Sequence, residues 1–158
     1  MQGSLEEDFV ALRKLRDDEA SGALKELFGD GEPSQWKYVT IDDGRVTSID
    51  LSELPDLTEL PAAIGELKAL TFLNLAQCPS LAALPDAIGE LGALTELNLY
   101  ECSSLAALPD AIGELGALTK LNLVRCSKLE RLPEGIVGRD GLMLKLPIQF
   151  ISGPLGED

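Results

Sequence analysis

Between residues 45 and 141 the chain repeats itself every 24 residues. Read from Leu94, the unit is L-T-E-L-N-L-Y-E-C-S-S-L-A-A-L-P-D-A-I-G-E-L-G-A, and leucine or isoleucine returns at offsets 0, 3, 5, 11, 14, 18 and 21. A unit this short cannot bury its own apolar side chains, so successive copies must stack and share one continuous core. The spacing therefore predicts a solenoid, and it directs the search for function to a displayed surface instead of a pocket.

The units begin at Val46, Leu70, Leu94 and Leu118. Each opens with a short alternating apolar strand, L-x-x-L-x-L in the last three, then bends into the segment L-P-x-x-I, which continues as G-x-L in the first three. Proline at 61, 85, 109 and 133 suits the first position of a helical turn, where its missing N–H costs little. Glycine at 65, 89 and 113 keeps the outer segment tight. One parallel strand inside and a turn of helix outside give an arc, because the outer element is wider than the ~4.8 Å between strands. Arg139 stands where the earlier copies have Leu67, Leu91 and Leu115, so the regular solenoid stops there. Beyond it, Leu142, Leu144, Leu146, Ile148 and Phe150 alternate through a run interrupted by Pro147, which predicts a final strand shielding the last layer. Residues 153–158 read as a frayed tail.

Ahead of the repeats, residues 4–28 read as helical. Ser4 and Glu7 have capping-box spacing, and Leu5, Phe9, Leu12 and Leu15 share one face. A second short helix is expected from Asp18 to Leu27, ended by Gly29-Asp30-Gly31. The runs Trp36–Ile41 and Arg45–Leu51, separated by Asp42-Asp43-Gly44, predict a hairpin with a three-residue loop and a bulge. Because Val46, Ile49 and Leu51 match Leu70, Leu73 and Leu75, this segment leads straight into the first unit. The chain thus divides into an N-terminal cap (1–44), four repeats (45–141) and a capping strand with tail (142–158). Trp36 reads as an anchor of the cap, packed under the helices.

With 27 acidic and 13 basic residues and no histidine, the formal charge is −14. Such a field repels phosphate backbones and anionic lipid surfaces, which argues against nucleic acid and membranes as partners and favours a basic or mixed-charge protein. No apolar run approaches the ~20 residues of a membrane span, and the N-terminus lacks a signal-peptide pattern. Met1-Gln2-Gly3-Ser4 is compatible with an added leader, and the expected location is cytoplasmic. Cys78, Cys102 and Cys126 all occupy offset 8 of successive units. They are expected as a buried, reduced structural ladder, each thiol bonding weakly to the neighbouring turn's backbone. No metal site is expected, for want of histidine or a C-x-x-C pair.

Offsets 0, 3, 5, 8 and 11 of the last three units, Leu70, Leu73, Leu75, Cys78 and Leu81 and their counterparts from Leu94 and Leu118, resemble the leucine-rich repeat pattern L-x-x-L-x-L-x-x-N/C-x-x-L. With the recurring L-P-x-x-I, the units look like the intracellular type found in plant resistance proteins and plant Ras-group repeat proteins. The resemblance implies an α/β fold: a right-handed arc with a concave parallel β-sheet, short helices or turns on the convex side, and protein binding on the sheet. Trp36 followed by Gly44-Arg45-Val46-Thr47-Ser48-Ile49-Asp50-Leu51-Ser52 is similar to the cap of plant and algal repeat proteins, here without the cysteine pairs of the extracellular versions. The first unit departs from the pattern in having Leu54 where the later copies have cysteine.

Comparing residues 70–93 with 94–117, only four of 24 positions differ: Phe72/Glu96, Ala76/Tyr100, Gln77/Glu101 and Pro79/Ser103. Three of these are read as outward positions of the inner strand, and the same columns change again to Lys120, Val124 and Arg125. Buried positions are held by packing while an open face is free to vary. Drift after duplication would also alter exposed positions, yet Asp86/Asp110 and Glu90/Glu114, expected to be exposed, are unchanged. Variation on the inner face therefore points to recognition. The candidate partner-binding residues are Phe72, Gln77, Glu96, Tyr100, Glu101, Lys120, Val124 and Arg125, with Glu96, Glu101, Lys120 and Arg125 grading from acidic to basic. Aromatic residues and arginine are frequent interface anchors, and four or five strands span only ~20–25 Å, a modest site.

Asp50, Asn74, Asn98 and Asn122, beside Thr47, Thr71, Thr95 and Thr119, form regular polar columns. Ordered water, a glycan or ice would need such repetition, but a curved face with few rungs fits sheet support better. Catalysis has little to build on, with neither a phosphate loop nor a histidine base. The sequence thus predicts a non-catalytic, cofactor-free protein-interaction module, monomeric, binding through its concave sheet. The alternative is a structural or engineered repeat scaffold without a dedicated partner, self-associating through the C-terminal strand.

Overall fold

In the computed structural model, which describes residues 3–151, the repeated L-x-x-L-x-L segments become neighbouring strands of one sheet. Strands β2 (Arg45–Asp50), β3 (Phe72–Asn74), β4 (Glu96–Asn98), β5 (Lys120–Asn122) and β6 (Met143–Lys145) run parallel in chain order. Strand β1 (Val39–Asp42) closes the N-terminal edge antiparallel to β2. Ile49, Leu73, Leu97, Leu121 and Leu144 lie in register across the parallel strands. The first steps are 24 residues, but Leu121 pairs with Leu144, so the last is one residue shorter. The solenoid therefore gains a fifth parallel strand where the sequence predicts only a shielding strand.

Repeat packing explains why these residues fold this way. In the unit from Leu94, every leucine or isoleucine at the recurring offsets, Leu94, Leu97, Leu99, Leu105, Leu108, Ile112 and Leu115, is at most 3% exposed. Each lies on a layer shared with the units on either side, as the stacking argument requires. Thr71, Thr95 and Thr119 fasten one margin of the sheet, each donating its N–H and its hydroxyl to the threonine carbonyl one unit earlier. Inside the bend that follows the strands, Cys78, Cys102 and Cys126 are fully buried and unpaired. Their thiols donate to the carbonyls of Leu51, Leu75 and Leu99 at 3.2, 3.1 and 3.1 Å. Burial raises all three thiol pKa values, Cys102 to about 12 and Cys126 to about 11.

The convex side is built of single 3-10 turns, Ala62–Glu66, Asp86–Glu90 and Asp110–Glu114. Pro61, Pro85 and Pro109 precede these turns in extended conformation, as N-caps, and do not occupy the first helical position. What each contributes is its carbonyl, which accepts from the N–H of Ile64, Ile88 or Ile112 at 3.0–3.1 Å. The glycines allow close stacking of these turns: a Cβ on Gly89 would lie 2.6 Å from the Cβ of Ala111, and one on Gly113 would lie 2.9 Å from the Cα of Gly135.

At the N-terminal end, helix α1 (Leu5–Asp18) carries the expected capping box, with Ser4 and Glu7 bonded reciprocally. Helix α2 (Ala23–Phe28) starts later and is shorter than expected, because Gly22 adopts a left-handed conformation before it. Trp36 is buried, stacks on Phe28 with centroids 4.3 Å apart, and donates its indole N–H to Gly31 O. The hairpin differs from expectation. Asp42 pairs with Arg45, leaving a two-residue turn of Asp43 and Gly44, both at positive φ, as a hairpin turn compatible with right-handed strand twist requires. The irregularity lies inside the ladder, between Thr40 and Ile41.

Asp8 of α1 joins cap to solenoid. Although only 1% exposed, its carboxylate accepts from Arg45 Nε at 2.8 Å and Nη2 at 2.9 Å and from the Val46 N–H at 3.0 Å. At the other end Arg139 spans two carbonyls of the last regular convex layer, Leu115 O at 2.9 Å and Gly113 O at 2.7 Å. Gln149 likewise donates to the carbonyls of Cys126 and Leu129. The last layer is only partly shielded. Leu142, Leu144, Leu146 and Phe150 are half-buried against the core, whereas Ile148, in a 3-10 turn after Pro147, is exposed. The predicted alternation ends at that proline, which removes a ladder donor. The tail read at 153–158 and the first two residues of the leader reading lie outside the described residues. Among the described residues, no helix is long and apolar enough to cross a membrane.

Candidate interaction face

The variable columns separate in space. Phe72, Glu96 and Lys120 are register partners on β3, β4 and β5, flanked by Ser48 and Met143. They occupy the open face of the sheet, as expected. The columns Ala76/Tyr100/Val124 and Gln77/Glu101/Arg125 are not on the strands; they form the bend at the strands' C-terminal ends.

That correction has a local cause. Asn74, Asn98 and Asn122 end their strands, and each Oδ1 accepts from the N–H two residues on, that of Ala76, Tyr100 or Val124, at 3.0 Å. Asp50 does the same for Ser52 in the first unit. These Asx turns compete with continued strand. The residues after them, Glu53, Gln77, Glu101 and Arg125, take φ of 61°, 59°, 58° and 67°. Left-handed conformation at a non-glycine residue costs roughly 1–2 kcal/mol. It persists because the N–H groups of Glu53, Gln77 and Glu101 bond to Ala76, Tyr100 and Val124 carbonyls in the next unit. An asparagine fixed at the strand end is the sequence signal for this turn; the polar column supports the bend and does not simply decorate the sheet.

Side chains of the outer column link into a ladder. Gln77 donates to Glu101 at 3.1 Å, and Arg125 pairs with the other Glu101 oxygen at 3.1 Å. The acidic-to-basic grading expected along this column is thus internally compensated. On the sheet itself the grading stays open, for Glu96 and Lys120 take part in no ion pair among the described residues. Phe72 and Tyr100 are half-buried, leaving part of each ring accessible.

Two depressions run along this side. A shallow one of about 120 Å³ on the sheet is bordered by Glu96, Asn98, Lys120, Asn122, Met143 and Lys145. An open groove of about 1270 Å³ follows the bend, where Gln77, Glu101, Val124 and Arg125 face Leu146, Ile148 and Ile151 of the C-terminal segment. Phe72 and Tyr100 border neither. Met143, Lys145 and the aliphatic wall of the groove were outside the sequence-based selection, because the shortened last step hides β6 from a 24-residue comparison. No group of three or more histidine, cysteine, aspartate or glutamate side chains suited to a metal ion occurs among the described residues.

No protein-family model matches the chain, and no curated protein does so by sequence. Solved structures do match. The chain is similar to the leucine-rich repeat domain of the type III effector XopL, with TM-score 0.52 and 27% identity over 71% of this chain and 48% of that one. It is also similar to a plant ice-binding protein, with TM-score 0.69 and 23% identity over 90% of this chain and 48% of that one. The chain spans about half the length of each of these neighbours. The parallel register of the repeated strands, the buried leucine and thiol columns and these two likenesses make the chain a leucine-rich repeat solenoid.

Proposed function

We propose that the chain is a non-catalytic protein-interaction module, working in the cytoplasm, that holds a mixed-charge partner against its open sheet and the adjoining bend. One observation carries this reading. The positions that change between the two near-identical copies, residues 70–93 and 94–117, lie on a single side of the molecule, on the strand face at Phe72 and Glu96 and on the bend beside it. On the opposite, convex side Asp86 and Asp110 are exposed and identical, as are Glu90 and Glu114. Drift without selection would have altered both sides. Partly accessible rings at 72 and 100 and an arginine at 125 supply the side-chain types that anchor protein interfaces.

Affinity capture from a lysate of the source organism tests the reading. Changing Phe72, Tyr100 and Arg125 to alanine together should abolish capture of the specific partner while leaving the circular-dichroism spectrum and cooperative unfolding in place. A convex-side control, Asp86→Ala with Asp110→Ala, should capture as the parent does. Equal capture by the triple variant refutes the assignment.

A further inference from the structure

Charge is unevenly divided along the solenoid. Residues 1–117 hold 22 acidic and 7 basic side chains, whereas residues 118–151 hold 3 and 6. The reversal is visible on the sheet, where the column Ser48, Phe72, Glu96 is followed by Lys120 and Met143, and the column Asp50, Asn74, Asn98, Asn122 ends in Lys145. Neither Lys120 nor Lys145 has a carboxylate within ion-pair distance among the described residues. Both border the same depression, and Leu146, the next residue after Lys145, opens into the aliphatic groove along the bend.

We propose that this C-terminal third of the face binds an extended acidic segment of the protein partner, with two carboxylates at positions i and i+2 and an aliphatic residue beside them. The inference rests on the function proposed above and specifies the chemistry of the partner. Lys145 is the register partner of Asn122, two residues beyond Lys120 on the neighbouring strand. Strand geometry then sets their Cα atoms about 8 Å apart, from ~4.8 Å across and ~6.6 Å along the sheet. Carboxylates two residues apart on an extended peptide project from one side at ~6.6–7 Å, within reach of both ammonium groups. The aliphatic residue would enter the groove between Val124 and the wall of Leu146 and Ile151. Glu96 bounds the site on the side of β4 and repels a carboxylate placed there, which fixes where the segment lies. A second copy of the chain fits less well, since each carries −14 and the edge strand holds Lys145 and is followed by Pro147, both of which discourage strand pairing.

Selection of a displayed library of random 12-residue peptides on the intact chain tests this. A net charge of −14 by itself would enrich basic peptides, so the two outcomes are opposite in sign. We expect enriched sequences to be acidic, with Asp or Glu at i and i+2 next to an aliphatic residue. A synthetic peptide of that sequence should bind at least tenfold more weakly to the Lys120→Glu/Lys145→Glu variant, bind the Asp86→Lys/Asp110→Lys control as it binds the parent, and lose affinity in 0.5 M salt. Basic or neutral enriched peptides, no enrichment, or an affinity within twofold in the Lys120→Glu/Lys145→Glu variant overturn the inference. So does a concentration-dependent mass in sedimentation that this variant abolishes, which would make a second copy the occupant. If the alanine triple variant loses its captured protein yet the enriched peptides are basic, only this inference falls; if capture is untouched, the function proposed above falls with it.

Discussion

Replacing Asp8 by alanine removes the buried charged contact that fastens the cap to the first repeat. The carboxylate, 1% exposed, satisfies two guanidinium N–H groups of Arg45 and the N–H of Val46. Its loss leaves the buried Val46 N–H unsatisfied, at about 1–3 kcal/mol. Arg45 also loses its counter-charge, and breaking a buried pair costs about 3–5 kcal/mol in all. The Arg45 side chain keeps 18% exposure and can recover some hydration, so the expected cost of Asp8→Ala is about 3 kcal/mol. Asp8→Asn keeps one acceptor but turns an amide N–H₂ toward the guanidinium, for an expected cost of about 2 kcal/mol. The surface pair Lys14–Glu66, about half exposed on both sides, sets the scale of an ordinary ion pair, and Lys14→Ala should cost less than about 1 kcal/mol. Urea unfolding would resolve these differences. Amide exchange should locate the loss in α1 and β2, because a solenoid is stabilised layer by layer. A cost for Asp8→Ala no greater than that for Lys14→Ala would refute the reasoning.

Acid should weaken the cap through Glu19. Burial pushes its carboxyl upward, but bonds from the Ser21 hydroxyl and the N–H groups of Leu24, Ser21 and Ala23 outweigh this and hold it below the usual range. A depressed folded value gives stability that is present above the ordinary glutamate range near 4.3 and is lost as pH falls through the folded value. Urea titrations from pH 6 to pH 3 should show that loss, and Glu19→Gln should reduce it. The three thiols, raised by burial, should resist a disulfide reagent at pH 8 in the native chain and all react in urea. Rapid native labelling would contradict the buried ladder. At Gln77, φ 59°, glycine should be neutral to stabilising by up to about 1 kcal/mol, whereas valine should destabilise by about 1 kcal/mol or more. Equal melting of the two variants would show that the bend relaxes.

Periodicity made the inner structure legible because burial itself is periodic here. Leu97, Leu99, Ile112 and Leu115 could be assigned to the core from their offsets, and so could Cys102, since every layer repeats the same environment. Features that occur once could not be read in that way. The Asp8–Arg45 lock joins residues 37 apart in different kinds of element, and no spacing rule relates them. Two of the three variable columns fell on the bend because Asn74 and Asn98 stop their strands with their own side chains. Pattern alone continues a strand until an apolar position is missed. Lys145 and Met143 escaped the comparison of copies because the final step is 23 residues, from Leu121 to Leu144.

The threonine and thiol bonds join each residue to a partner one unit, or one unit and three residues, earlier in the chain. Splicing in another 24-residue cassette between β4 and β5 would therefore find donors and acceptors already waiting on both sides. Asp8 with Arg45 at one end and Gln149 with the Cys126 and Leu129 carbonyls at the other would be left undisturbed. Rod length becomes a quantity that can be dialled in increments of ~4.8 Å, and the 23-residue step from Leu121 to Leu144 shows that the end of the rod takes up one residue fewer and keeps its register.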